Sequence, residues 1–198
     1  MTPPALSRRS LVLTLAAMAA ANATRAASAA AELPGASVYQ LKPALADQAG
    51  RAFELGSLRG QPALVSMFYS SCEMVCPMIF ETIQLTLKAL PAARSERVKV
   101  LMVSFDPARD TVAVLKKTAD AHGCDARWTL ARGTDTDVRK LAALLGVQYR
   151  RLASGEFNHS SSIELLDADG RIAGRTGTLG AVDPALLKTL QLSLAHRA

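Results

Sequence analysis

Cys72 and Cys76 carry the chemistry most legible in this sequence. Three residues separate them in the run Tyr69-Ser70-Ser71-Cys72-Glu73-Met74-Val75-Cys76-Pro77. A helix repeats every ~3.6 residues, so side chains at i and i+4 point the same way, one turn apart. A two-residue gap suits a thioredoxin-type redox pair or half of a zinc site. The wider gap can present two sulfurs side by side to a soft metal ion. Thiolates suit Cu(I), and neutral imidazole also suits copper. The chain has three histidines. His122, at a helix end beside Gly123, and His196, third from the C-terminus, read as solvated surface residues. His159 differs, because Phe157-Asn158-His159-Ser160-Ser161-Ser162 leads directly into the apolar run Ile163 to Leu166. It reads as a metal ligand or as an ordinary loop histidine, and the first reading is preferred.

The flanking sequence sets where these groups sit. Leu64 to Tyr69 is short and largely apolar, bounded by Pro62 and Ser70-Ser71, and reads as a buried strand. Pro77 suits the first turn of a helix. The cysteines therefore lie where a strand turns into a helix, and the positive end of the helix favours thiolate over thiol. Helical spacing of Ile79, Phe80, Ile83, Leu87 and Leu90 extends that helix. Val38 to Leu41 is expected as a short strand, Asp47 to Arg51 as a hairpin turn and Val98 to Val103 as a second apolar strand. Asp110 is expected to cap a helix from Thr111 to His122, which Gly123 ends. A strand from Trp128 to Leu130 follows, then a helix that opens at Thr134-Asp135-Thr136-Asp137 and stops at Gly146. Ser162 to Leu166 and Arg171 to Thr176 flank a strong hairpin signal at Asp167-Ala168-Asp169-Gly170. Asp183-Pro184 opens a last helix. The order predicts an α/β fold, a central mixed β-sheet flanked by helices, in a thioredoxin-like succession.

Composition bounds the function further. Of 198 residues, 49% are hydrophobic and 20% charged, which permits one domain with a real core. Residues 1–29 read as a signal peptide: Arg8-Arg9, an apolar run from Leu11 to Ala21, and an Ala27-Ser28-Ala29 cleavage site. The run Ser7 to Val12 fits a twin-arginine signal or an ordinary basic one. Residues 30–198 form the domain. Removing the three arginines of the signal leaves 20 basic against 17 acidic residues, a mild +3. The basic residues form no stripe, so nucleic-acid binding gains no support. Export places the cysteines in oxidising surroundings. A Cys72–Cys76 bond would close a very short loop and stabilise little, so a functional pair is the better reading. Cys124 reads as a small, partly buried bystander. Met67, Met74, Met78 and Met102 are soft groups but more often core filler. Asp106 reads as a turn acid. Ser160 to Ser162 lack a base and an acid arranged as a nucleophilic triad.

Three motifs in order, Cys72-Glu73-Met74-Val75-Cys76-Pro77, Asp106-Pro107-Ala108-Arg109-Asp110-Thr111 and Asn158-His159-Ser160-Ser161, resemble the signatures of the SCO/SenC family, over roughly residues 37–195. The resemblance implies a thioredoxin-like fold and copper, as Cu(I) or also Cu(II), held by Cys72, Cys76 and His159. Asp106 matches the family's acidic residue near the site, as a support for the ligands or facing a partner. The resemblance also implies copper delivery to a membrane or periplasmic enzyme subunit such as the binuclear copper centre of cytochrome oxidase, with other periplasmic copper carriers as further partners. Some relatives have been considered thiol reductases, so the alternative is a thiol–disulfide oxidoreductase with Cys72 attacking and Cys76 resolving. Redox thioredoxins place a cis-proline before the strand that follows; Leu152 to Val182 contains no proline, which favours the carrier. The stretch Arg150 to Phe157 is shorter than the hairpin many relatives carry. What looks like a cleavable signal stands where the family usually has a membrane anchor, so a periplasmic monomer is expected, with an uncleaved anchor as the alternative.

Overall fold

The computed structural model describes residues 32–195. The signal segment, its cleavage site and His196 lie outside the described residues. Strands β1 (Leu45–Asp47), β2 (Ala52–Phe53), β3 (Ala63–Phe68), β4 (Lys99–Ser104), β5 (Trp128–Gly133), β8 (Ile163–Leu166) and β9 (Ile172–Thr176) form one sheet in the order β2-β1-β5-β4-β3-β8-β9. Strands β3, β4 and β5 run parallel, while β1 and β8 join them antiparallel. The sheet is therefore mixed, as expected. Every residue of β3 is buried. This central position explains why the strand reads as a continuous apolar run rather than an alternation. Strands β8 and β9 form the hairpin signalled by Asp167 to Gly170, with a register irregularity between Leu165 and Leu166.

Five α-helices lie among the described residues: α1 (Val75–Lys88), the single turn α2 (Ala92–Ser95), α3 (Val112–Ala121), α4 (Asp135–Leu145) and α5 (Pro184–Ala195). Helix α1 buries Ile79, Phe80, Ile83 and Leu87, the face that its helical spacing marked. Gly146 ends α4 at φ 71°, a left-handed cap open to glycine without steric cost. No described helix is long and apolar enough to cross a membrane.

The expected first strand is instead a 3-10 turn, Val38–Gln40. Ser37 accepts a hydrogen bond from the Tyr39 N–H at 3.2 Å. Val38 and Tyr39 are both buried, so consecutive side chains face inward, which an alternating strand does not allow on one face. A separate two-stranded ribbon, β6 (Tyr149–Arg151) with β7 (Phe157–His159), follows α4.

Candidate metal centre

The chain leaves β3 at Phe68 and turns at once, the Cys72 N–H donating to the Tyr69 carbonyl at 3.2 Å. Helix α1 begins at Val75, four residues before the apolar periodicity that marked it. Cys76 thus lies in the first helical turn and Cys72 ahead of the helix. Pro77 costs nothing there, because first-turn N–H groups have no intrahelical partner. The Cys72 sulfur accepts the Cys76 N–H at 3.3 Å, the place a capping oxygen takes in other helices. The two sulfurs converge because the chain folds back onto the helix start, not because both ride one helix.

The loop is fixed from below by Asp110. Thr111, not Asp110, caps α3, accepting from the Val114 N–H. Asp110 turns inward, 1% exposed, and accepts from the Ser70 N–H at 3.1 Å, the Ser104 hydroxyl at 2.5 Å and the Ser70 hydroxyl. The donors at the ends of β3 and β4 claim its carboxylate before the helix can.

His159 closes β7 opposite Tyr149. Its ring packs edge-on to Tyr69 at 5.7 Å and against Phe105 at 5.1 Å. Its Nδ1 lies 3.2 Å from the Ser160 carbonyl; the tautomer donating there leaves the Nε2 lone pair for a metal. The ligand atoms of Cys72, Cys76 and His159 all lie within 4.8 Å of one another, the one such convergence of histidine, cysteine and carboxylate groups among the described residues. Cys72 and His159 border a cavity of about 470 Å³ shared with Tyr69, Met74 and Phe157, with Cys76 buried behind it.

The thiols differ. Burial pushes Cys72 up, but the N–H groups of Cys76, Met74 and Val75 and the Cys76 thiol outweigh it and hold Cys72 below the usual thiol range. Cys76 is 2% exposed; burial, with the neighbouring Cys72, pushes it far above that range. The Tyr69 phenol is raised by burial and by its hydrogen bond to Glu156, 2.8 Å long. Cys72 is the nucleophilic, accessible sulfur. All three cysteines are free thiols.

Other candidates separate from this centre. Asp106 is 2% exposed and paired with Arg109. His122 is not a solvated surface group: it is half-buried, and its ring stacks on Phe80 at 4.0 Å. Burial lowers its pKa. Cys124 is half-buried, its thiol pushed up to about 12 by burial and by Asp125 and Asp120. Met67 and Met102 fill the core, whereas Met74 is 73% exposed and Met78 36%. Sequence reasoning missed Tyr69 and Phe105 as the aromatic seat of His159, and missed the inward role of Asp110. The acid-rich motif Asp106 to Asp110 was the available signal for the latter.

Comparison with known proteins covers nearly the whole described region. A family model described as SCO1/SenC matches residues 34–191. A Stutzerimonas stutzeri protein whose name proposes copper binding is 25% identical over 66% of this chain, which spans 65% of that protein's length. A Bacillus subtilis protein named as an SCO1 homologue is 26% identical over 68% of this chain and 72% of its own length. Among solved structures, Bradyrhizobium japonicum ScoI with copper bound aligns at 25% identity and TM-score 0.65, covering 79% of this chain and 98% of that one.

Proposed function

This chain belongs to the SCO1/SenC family, and from that premise we propose that it is a periplasmic copper carrier. The observation that carries the reading is the convergence of Cys72, Cys76 and His159 within 4.8 Å. Two thiolates and an imidazole suit Cu(I), and the copper-bound relative supports that cargo. Copper is substrate here, taken up and passed on. Cys72 and His159, both half-buried at the cavity wall, are reachable by a partner's thiolates or imidazoles. Buried Cys76 leaves last. The recipient fits a respiratory copper enzyme, such as the binuclear copper centre of cytochrome oxidase, with the protein exported by its N-terminal signal.

A second reading rests on the unequal thiols. An accessible low-pKa Cys72 beside a buried high-pKa Cys76 is also the arrangement of an attacking and a resolving cysteine. The test is copper stoichiometry and affinity of the reduced, purified domain. One Cu(I) per chain is expected, lost in Cys72→Ser and in Cys76→Ser. His159→Ala weakens it far more than His122→Ala. Unchanged affinity in both cysteine variants sinks the site. Disulfide-reducing turnover that survives His159→Ala and ignores copper establishes the oxidoreductase instead. Mass spectrometry of the native protein, expected to begin near Ala30, tests export.

A further inference from the structure

We infer that Arg109 is a positioning residue for the metal centre: anchored on buried Asp106, it clamps the turn of the ribbon that carries His159. The inference rests on the proposed Cys72, Cys76 and His159 site.

His159 belongs to a ribbon that pairs with no strand of the main sheet and is fastened by side chains: the Tyr69 hydroxyl donates to the Glu156 carboxylate at 2.8 Å, and the Tyr149 ring stacks on Phe105 at 4.9 Å. Its ribbon is paired only within itself, β6 with β7, apart from bonds at its base such as Ser160 N–H to the Gln148 carbonyl at 2.9 Å. An isolated two-stranded ribbon is marginally stable in water. Its turn, from Leu152 to Glu156, is drawn in by the Leu152 N–H to the Glu156 carbonyl at 2.7 Å, with Gly155 at φ 89°. That conformation leaves the Gly155 carbonyl free of the ribbon's own ladder.

Arg109 takes that carbonyl. One terminal nitrogen donates to Gly155 O at 2.6 Å, while Nε donates to the Asp106 carboxylate. The guanidinium also lies 5.9 Å from the Phe157 ring centroid. Phe157 in turn packs on Tyr69 and Phe105 at 5.1 and 5.0 Å, the same rings that border His159. Asp106 is held by the turn after β4, where its N–H donates to the Ser104 hydroxyl at 3.0 Å. The chain of contacts therefore runs from the central sheet through Asp106 and Arg109 to the turn, and along β7 to His159. The planar fork of arginine can bond a carboxylate and a carbonyl at once; lysine cannot match that geometry. Groups that orient a metal ligand through hydrogen bonds are worth roughly 10- to 100-fold in metal affinity.

The experiment is a double-mutant cycle on the reduced protein, with Cu(I) affinity read by competition against a chromogenic Cu(I) chelator. Arg109→Met should weaken Cu(I) by roughly tenfold. In a His159→Ala background the same change should have no further effect, because the clamp acts only through His159. Arg109→Lys should fall between wild type and Arg109→Met. Hydrogen exchange on the metal-free protein gives a reading independent of copper: the Leu152 and Gly155 amides should exchange faster in Arg109→Met, with the α1 amides unchanged. Equal losses of affinity in both backgrounds, or wild-type affinity and exchange in Arg109→Met, overturn the inference. If Cys72→Ser keeps its copper, the site reading itself has failed. If Cys72→Ser loses copper but Arg109→Met matches wild type, only the clamp has.

Discussion

Asp110 and Ser70 lie forty positions apart in sequence, yet the Ser70 N–H points at the Asp110 carboxylate across 3.1 Å. This bond ties the loop that presents Cys72 to the end of the loop that joins β4 to α3. The carboxylate also receives the Ser104 and Ser70 hydroxyls, so it serves the ends of two adjacent parallel strands.

Removing that acceptor strands buried donors. Asp110→Ala should destabilise the reduced, metal-free protein by about 1–3 kcal/mol, the cost of leaving a buried polar group unsatisfied. Denaturant unfolding measures it. A loss no larger than that of Asp135→Ala, an exposed helix-surface substitution, would show that the bonds to Asp110 contribute little.

The thiols should react in a fixed order. Iodoacetamide should modify Cys72 of the reduced, metal-free protein before Cys124 and Cys76, because thiolate fraction and access both favour it. Peptide mapping after brief labelling identifies the sites. The rise of the Cys72 rate with pH should come below the ordinary thiol value of about 8.5, since the N–H groups of Cys76, Met74 and Val75 overcome the opposing effect of burial.

Oxidation should block loading. Metal ligation needs free thiolates, so a Cys72–Cys76 disulfide formed by a mild oxidant should abolish Cu(I) uptake, and reduction should restore it. Cys124→Ser should leave both steps unchanged. Loading of the oxidised protein at wild-type stoichiometry contradicts the cysteine assignment.

His122 should make stability pH-dependent. Burial lowers its folded-state pKa, so the unfolded chain takes up a proton first as pH falls. The sign follows: stability is full above the unfolded value of about 6.5, declines as pH drops from there to the lower folded value, and then levels. His122→Phe keeps a ring to stack on Phe80 and removes the titration. Unfolding curves between pH 7 and pH 5 should be flatter in the variant than in the wild type, and equal slopes count against the assignment.

The sequence made much of this legible for local reasons. Buried β3, the caps at Thr134 and Gly146 and the hairpin at Asp167 to Gly170 depend on nearby residues, and each was readable. Cys72, Cys76 and His159 announced themselves by residue type and motif. What escaped was decided by partners distant in sequence. Asp110 reads as a helix cap until Ser70 and Ser104 are seen to compete for it. Val38 and Tyr39 read as a strand because burial of both neighbours comes from the tertiary fold. His122 read as solvated because Phe80, on another helix, covers its face.

At the outer rim of the sheet, β8 slips register against β9 between Leu165 and Leu166. Such an irregularity bends a strand and increases its local twist. A flat, unpaired edge is a template on which a foreign strand can add, and charge together with twist blunts it. Here Arg175 lies in β9 and Arg171 immediately before it, both partly exposed. A newcomer strand meets a warped ladder with the Arg171 guanidinium at its start, while that of Arg175 is drawn onto buried Glu164 and the Leu145 carbonyl. The rim therefore discourages the strand-to-strand accretion that open sheets invite.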